Sequence, residues 1–286
     1  MLRHVLSAAL AFVAALTLWI GYERSAGPTA APLPEHIPAT LRVPPAHDFS
    51  QPARLANALN PGSELHAMHA AGWTGAGVGI AIVDSCLLVD HREYWKRLRW
   101  YDEIDVEPGD YARWHGTAVA SLAAGETLGA APGADLYYAA VGVHWAREPL
   151  GNLFVELRRA AHSGQPLALA IRRILELNEK LEPGRRIRAL SLSIGAPPRG
   201  LGGAAVEDAI EDARAAGLFV SAADLNLAPY GPVNIASPSG ADAVAGFQQP
   251  AGSWAIARAA GRYAVECQRD PSMTPQRFLA AYRGGR

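Results

Sequence analysis

Cysteine is scarce, with Cys86 and Cys267 the only two in 286 residues. Two thiols build no disulfide framework, and without a CxxC or a Cys/His cluster they supply no structural zinc site. One bridge between them would require an oxidising compartment, and the sequence does not place it. An excess of charge is missing as well. The formal net charge is -1, so there is no basic footprint for nucleic acid. Metal-ligand spacing is absent: His66-x-x-His69 can share a helix face, but no third ligand stands at a convincing distance along the chain. No internal repeat is visible. What remains is a globular balance, with 50% apolar and 19% charged residues, enough for one α/β domain plus an N-terminal extension.

The extension has its own character. Arg3 and His4 precede Val5 to Ile20, a run rich in Ala and Leu and free of charge. It is apolar all round, so it reads as a signal peptide or a short signal anchor over residues 1–24. Arg3 fits a cytoplasmic N-terminus. Residues 25–54 are rich in proline and small residues and have no period, which predicts an extended linker. The domain is expected over 55–286.

Within the domain, strands and helices are expected to alternate. Helical patterns cover Leu55 to Ala71, His115 to Ala124, Leu150 to Leu181 with a break near Gly164, Ala204 to Ala216, and Ser253 to Glu266. Apolar runs typical of buried strands cover Val78 to Val83, Ala134 to Val143, Arg188 to Ile194 and Leu218 to Ala223. That order predicts an α/β fold of three layers, a mostly parallel central sheet flanked by helices.

In such sheets, reactive groups gather at the carboxyl ends of strands. Asp84 closes one strand, while His115 and Ser253 open helices. A serine hydroxyl is a weak nucleophile, needing a base to take its proton and an acid to orient that base. Histidine suits the base because its ordinary pKa lies near neutrality. Ser253 at a helix start also lies beside free backbone N–H groups that can hold an oxyanion.

The flanking residues narrow the chemistry. Ile80-Ala81-Ile82-Val83-Asp84-Ser85, Trp114-His115-Gly116-Thr117-Ala118-Val119-Ala120-Ser121 and Gly252-Ser253-Trp254-Ala255 resemble, in order, the aspartate, histidine and serine motifs of the subtilisin-like serine proteases. Gly129 to Tyr137 and Pro271-Ser272-Met273-Thr274-Pro275 resemble further family segments, so the resemblance runs from about Gly72 to Tyr282. It implies a serine endopeptidase with Asp84, His115 and Ser253 as its triad. It also implies that Ser193, Ile194 and Gly195 end a strand that pairs with an extended peptide substrate. No organic cofactor is implied, and although calcium sites are common in the family, no acidic loop here maps to one.

Four departures from the family pattern stand out. The oxyanion asparagine falls on Leu225 in an ungapped reading, and on Asn226 or Asp224 after a one-residue shift. Loss of this donor in subtilisin itself slows catalysis about a hundred- to a thousandfold. The stretch from Asn226 to Ser253, which in the family helps build the specificity pocket, is short. Gly252, Ala257 and Ala118 replace the usual threonine, proline and second histidine, and Cys86, read as a small packed residue, replaces a glycine. The segment before the domain is too short and proline-rich for an inhibitory prodomain. These departures support a second expectation: a catalytically impaired domain, tethered to a membrane, that binds peptides or a partner. A redox or metal role for Cys86 and the histidines is a third. The apolar leader leads us to expect an exported protein, periplasmic, secreted or anchored in a bacterial cell membrane.

Overall fold

The computed structural model describes residues 63–106, 114–142, 164–194, 203–222 and 252–284. Its elements run α1 (Ser63–Ala70), β1 (Gly79–Asp84), β2 (Leu98–Ile104), α2 (Trp114–Ala124), β3 (Asp135–Val141), α3 (Gln165–Lys180), β4 (Ile187–Leu192), α4 (Gly203–Ala215), β5 (Phe219–Ala222), α5 (Gly252–Arg269) and α6 (Pro275–Gly284). The strands form one sheet in the order β2-β3-β1-β4-β5, and every pair is parallel. This is the α/β, three-layer architecture expected from the alternation of elements.

Both faces of the sheet are covered, which is why β1 and β3 are buried along their whole length. The pleat sorts their side chains. Ile80, Ile82, Leu136 and Tyr138 enter one core with residues of α1, α2, α5 and α6. Ala81, Val83, Tyr137 and Ala139 enter the other with residues of α3 and α4. In α4 the buried positions Val206, Ala209, Ile210 and Ala213 recur at helical spacing, so one stripe meets the sheet. The helix ends at Ala215, and two residues on comes Gly217, whose φ of 85° is one a side chain would resist. The Leu218 N–H then reaches back 3.0 Å to the Ala213 carbonyl and closes the helix end.

Several sequence-based boundaries move. The expected strand Arg188 to Ile194 ends at Leu192, so Ser193 and Ile194 lie just past it. The α5 helix begins one residue before Ser253 and runs to Arg269, three residues past Glu266. β2 was not expected at all. Its sequence LRWYDEI interrupts the apolar run with charges, and the fold gives them polar partners individually. The Asp102 carboxylate is buried against the Arg173 guanidinium of α3. Glu103 accepts a hydrogen bond from the Tyr101 hydroxyl at 3.0 Å.

Both cysteines are buried and neither forms a disulfide, so no bridge joins Cys86 to Cys267. Burial pushes the Cys267 thiol up in pKa, away from the reactive thiolate. His69 Nε2 donates to the Ala130 carbonyl oxygen, 2.9 Å away, holding α1 on the segment after α2. Among the described residues no group of three or more His, Cys, Asp or Glu side chains could hold a metal ion. No described helix is long and apolar enough to cross a membrane. The leader and linker lie outside the described residues.

Candidate active site

The carboxyl ends of β1 and β4 lie side by side, with Val83 paired to Leu192. The chain leaves β1 towards the β2 edge and leaves β4 towards the β5 edge. A crevice forms where neighbouring strands send their connections in opposite directions. Asp84 stands at the end of β1 and Ser193 one residue beyond β4.

Asp84 is 1% exposed. Its Oδ1 accepts three hydrogen bonds: from the Ser85 N–H at 2.7 Å, from the Ser85 hydroxyl at 3.1 Å, and from His115 Nδ1 at 2.8 Å. Its Oδ2 is buried with no hydrogen-bond partner among the described residues. The imidazole comes from the first turn of α2, and its side chain is 18% exposed. Burial disfavours the imidazolium, but the Asp84 hydrogen bond and charge together outweigh it, so the His115 pKa lies above its ordinary value. A histidine held this way has a fixed tautomer and a strengthened base.

Close packing brings the two helix starts together. Gly261 on α5 sits so near α2 that a Cβ there would stand 2.5 Å from the Ala123 carbonyl oxygen. Ala259 and Ala260 are buried at the same interface, while Ala255 is half-buried. Trp254 lies against the His115 ring, with centroids 5.5 Å apart. Ser253, its chain neighbour, is buried in the first turn of α5. The Ser253 hydroxyl donates to the Ser193 carbonyl oxygen at 3.3 Å, and the Ser193 hydroxyl donates to the Ser253 carbonyl oxygen at 3.2 Å. The start of α5 is thus tied to the end of β4, as well as packed, with rings tilted, against the histidine.

Asp84 and His115 are therefore directly bonded, and Ser253 is bonded to Ser193. Ile194 is half-buried and packs on the second core. Gly195, Asp224 and Asn226 lie outside the described residues, as does Leu225. Two contributors went unassigned in the sequence. Ser85 supplies two of the three bonds to Asp84 Oδ1, and its place directly after a strand-end aspartate was the available signal. Trp254 supplies the contact with His115, and its bulk in an otherwise small-residue helix start was the signal there.

No protein-family model and no curated protein matches the chain. Solved structures do. MycP1 from Mycobacterium smegmatis is similar with a TM-score of 0.51 and 15% identity, over 90% of this chain and 86% of that one. A structure described as the serine protease MycP1, an essential component of the type VII (ESX-1) secretion system, matches with a TM-score of 0.47 and 18% identity, over 90% of each chain. A cold adapted subtilisin-like serine proteinase matches with a TM-score of 0.44 and 16% identity, over 72% of this chain and 81% of that one. The chain has a divergent subtilisin-like fold.

Proposed function

We propose that this subtilisin-like fold works as a serine endopeptidase, hydrolysing peptide bonds through Asp84, His115 and Ser253. The observation that carries the reading is the 2.8 Å bond from His115 Nδ1 to Asp84 Oδ1 at the carboxyl end of β1. With Nδ1 committed to Asp84, Nε2 is the nitrogen that takes the Ser253 proton. The serine oxygen then attacks the peptide carbonyl. His115 returns the proton to the leaving amine, and Asp84 supports the imidazolium while it exists. Water repeats the sequence on the acyl-enzyme. The Ser253 N–H, at a helix start, is one donor for the oxyanion, and Asn226, or Asp224 with its carboxyl protonated, would be the second. Ser193, Ile194 and Gly195 would pair with an extended protein or peptide substrate as an added strand. The apolar run from Val5 to Ile20 supports export to a periplasmic, secreted or membrane-anchored location.

A second reading has an observation of its own. The Ser253 hydroxyl is engaged by the Ser193 carbonyl, which favours a catalytically impaired domain that binds peptides or a partner. Fluorophosphonate labelling of the full chain separates the two. An endopeptidase labels at Ser253, and both Ser253→Ala and His115→Ala abolish the label. A folded wild-type chain that takes no label belongs to the binding reading.

A further inference from the structure

The chain leaves β1 through the interior, with Ser85, Cys86 and Leu87 all buried. Backbone groups there need partners inside the protein. Tyr138 provides one: its hydroxyl donates to the Ser85 carbonyl oxygen at 2.6 Å. Three residues on, the Tyr94 hydroxyl donates to the Leu88 carbonyl oxygen at 2.8 Å.

Tyr138 sits in the middle of β3, level with Ile82 of β1, and its side chain is fully buried. Its ring stacks on Tyr101 with centroids 5.9 Å apart. The ring therefore cannot swing away, and the hydroxyl is delivered to one place. That place also lies against the first turn of α2. A Cβ on Gly116, the residue after His115, would stand 2.2 Å from the Tyr138 hydroxyl oxygen and 2.6 Å from the Ser85 carbonyl oxygen. One hydroxyl thus meets both the segment that follows Asp84 and the helix that carries His115.

We propose that Tyr138 is a positioning residue for the Asp84–His115 pair: its hydroxyl fixes the Ser85 carbonyl, and Ser85 in turn holds Asp84 Oδ1 towards His115. The proposal rests on reading that pair as the orienter and base of the site. The path is continuous: Tyr138 hydroxyl to Ser85 carbonyl, Ser85 N–H and hydroxyl to Asp84 Oδ1, Asp84 Oδ1 to His115 Nδ1. The titratable groups acting on Tyr138 are Asp84, Tyr101, Tyr94 and Cys86. Burial and then the Asp84 charge raise its pKa well above the ordinary phenol value, so it stays a donor across the working range. On His115 the acting charge is Asp84.

The test uses the full chain as wild type, Tyr138→Phe and Tyr94→Phe. NMR reads the His115 titration, and fluorophosphonate labelling reads the pH profile of Ser253. In Tyr138→Phe the ring and its packing stay, so the fold is retained. The His115 pKa is expected to fall towards its ordinary value as the Asp84 bond loosens. Labelling is expected to slow roughly tenfold. Tyr94→Phe removes a bond of the same kind from the same segment and is expected to leave the His115 titration in place, which a merely structural role for Tyr138 would not predict. Gly116→Ala presses a methyl onto the same hydroxyl and is expected to lower the His115 pKa by a second route. A wild-type titration in both Tyr138→Phe and Gly116→Ala, or an equal shift in Tyr94→Phe, overturns the proposal. NMR decides this even if the wild type takes no label, an outcome that counts against the endopeptidase reading alone.

Discussion

The two faces of the sheet are packed by different means. On the face that carries His115 and Ser253, helices α2 and α5 meet through alanine and glycine, and backbone atoms approach closely at Gly261 and Gly116. On the opposite face, α3 and α4 meet the sheet through larger aliphatic residues such as Leu167, Ile171, Ile174 and Ile210, with the Asp102–Arg173 pair set into that layer. Small residues bury less area but fix the distance between helices, because little can rearrange. Large aliphatic residues bury more and tolerate repacking. The candidate site lies on the face where distance is fixed, which would suit chemistry that depends on hydrogen-bond lengths.

The comparison yields predictions that separate stability from site geometry. The largest effect is expected on the far face. Arg173→Met leaves the Asp102 carboxylate buried without its partner and should cost about 3–5 kcal/mol of stability. The rate of labelling per folded molecule should stay unchanged. Pairing it with Asp102→Leu should recover most of the loss, read by chemical denaturation. If Arg173→Met slows labelling of the folded fraction, the two faces are not independent.

The near face is next. Gly261→Ala forces α5 off α2, because its Cβ would stand 2.5 Å from the Ala123 carbonyl oxygen and 2.7 Å from the Ala130 Cβ. Overpacking of this kind should cost about 1–3 kcal/mol. Unlike Arg173→Met, it should also slow labelling of the folded fraction, since it moves Ser253 and Trp254 relative to His115. The matched change on the far face, Ile174→Val, should cost about 0.5–1.5 kcal/mol and leave labelling alone.

The smallest effect concerns pH and sharpens the contrast. His115 gains a partner on folding, and its folded pKa lies above the ordinary 6.5. Its contribution to stability is therefore complete below that ordinary value and is lost as pH rises through the raised one. Labelling should rise over the same interval, because the base must be unprotonated to act. Asp84→Asn should move that limb to lower pH, while far-face variants should not.

How much of this was legible along the chain depends on the kind of feature. β1 and β3 announced themselves as apolar runs because a parallel strand covered on both faces has no polar side to show. Helix α4 was legible through its repeating stripe and through Gly217 at its end. Strand β2 was not, because Arg99, Asp102 and Glu103 break the run. Asp102 is neutralised by Arg173, which is 71 residues away. Ser193 was read as part of a strand because the local pattern carries no mark of where pairing stops. In the site, Asp84, His115 and Ser253 stood out by the motifs around them, whereas Tyr138 looked like one more apolar strand residue. Its hydroxyl acquires a purpose only against the Ser85 carbonyl, 53 residues earlier.

The sequence alone determined the order of the elements other than β2, the parallel α/β class and the residue types offered at the strand and helix ends. Local periodicity and backbone preference specify those without reference to distant neighbours. Tertiary structure alone decided that Asp84 Oδ1 meets His115 Nδ1 across 31 residues, and that Trp254 lies on the histidine ring. It also gave the Ser253 hydroxyl its bond to Ser193 and set Tyr138 beneath the segment that follows Asp84. Such contacts require two chain segments to coincide within a few tenths of an ångström. Sheet register and close helix packing supply that coincidence, and neither is written in any single stretch of residues.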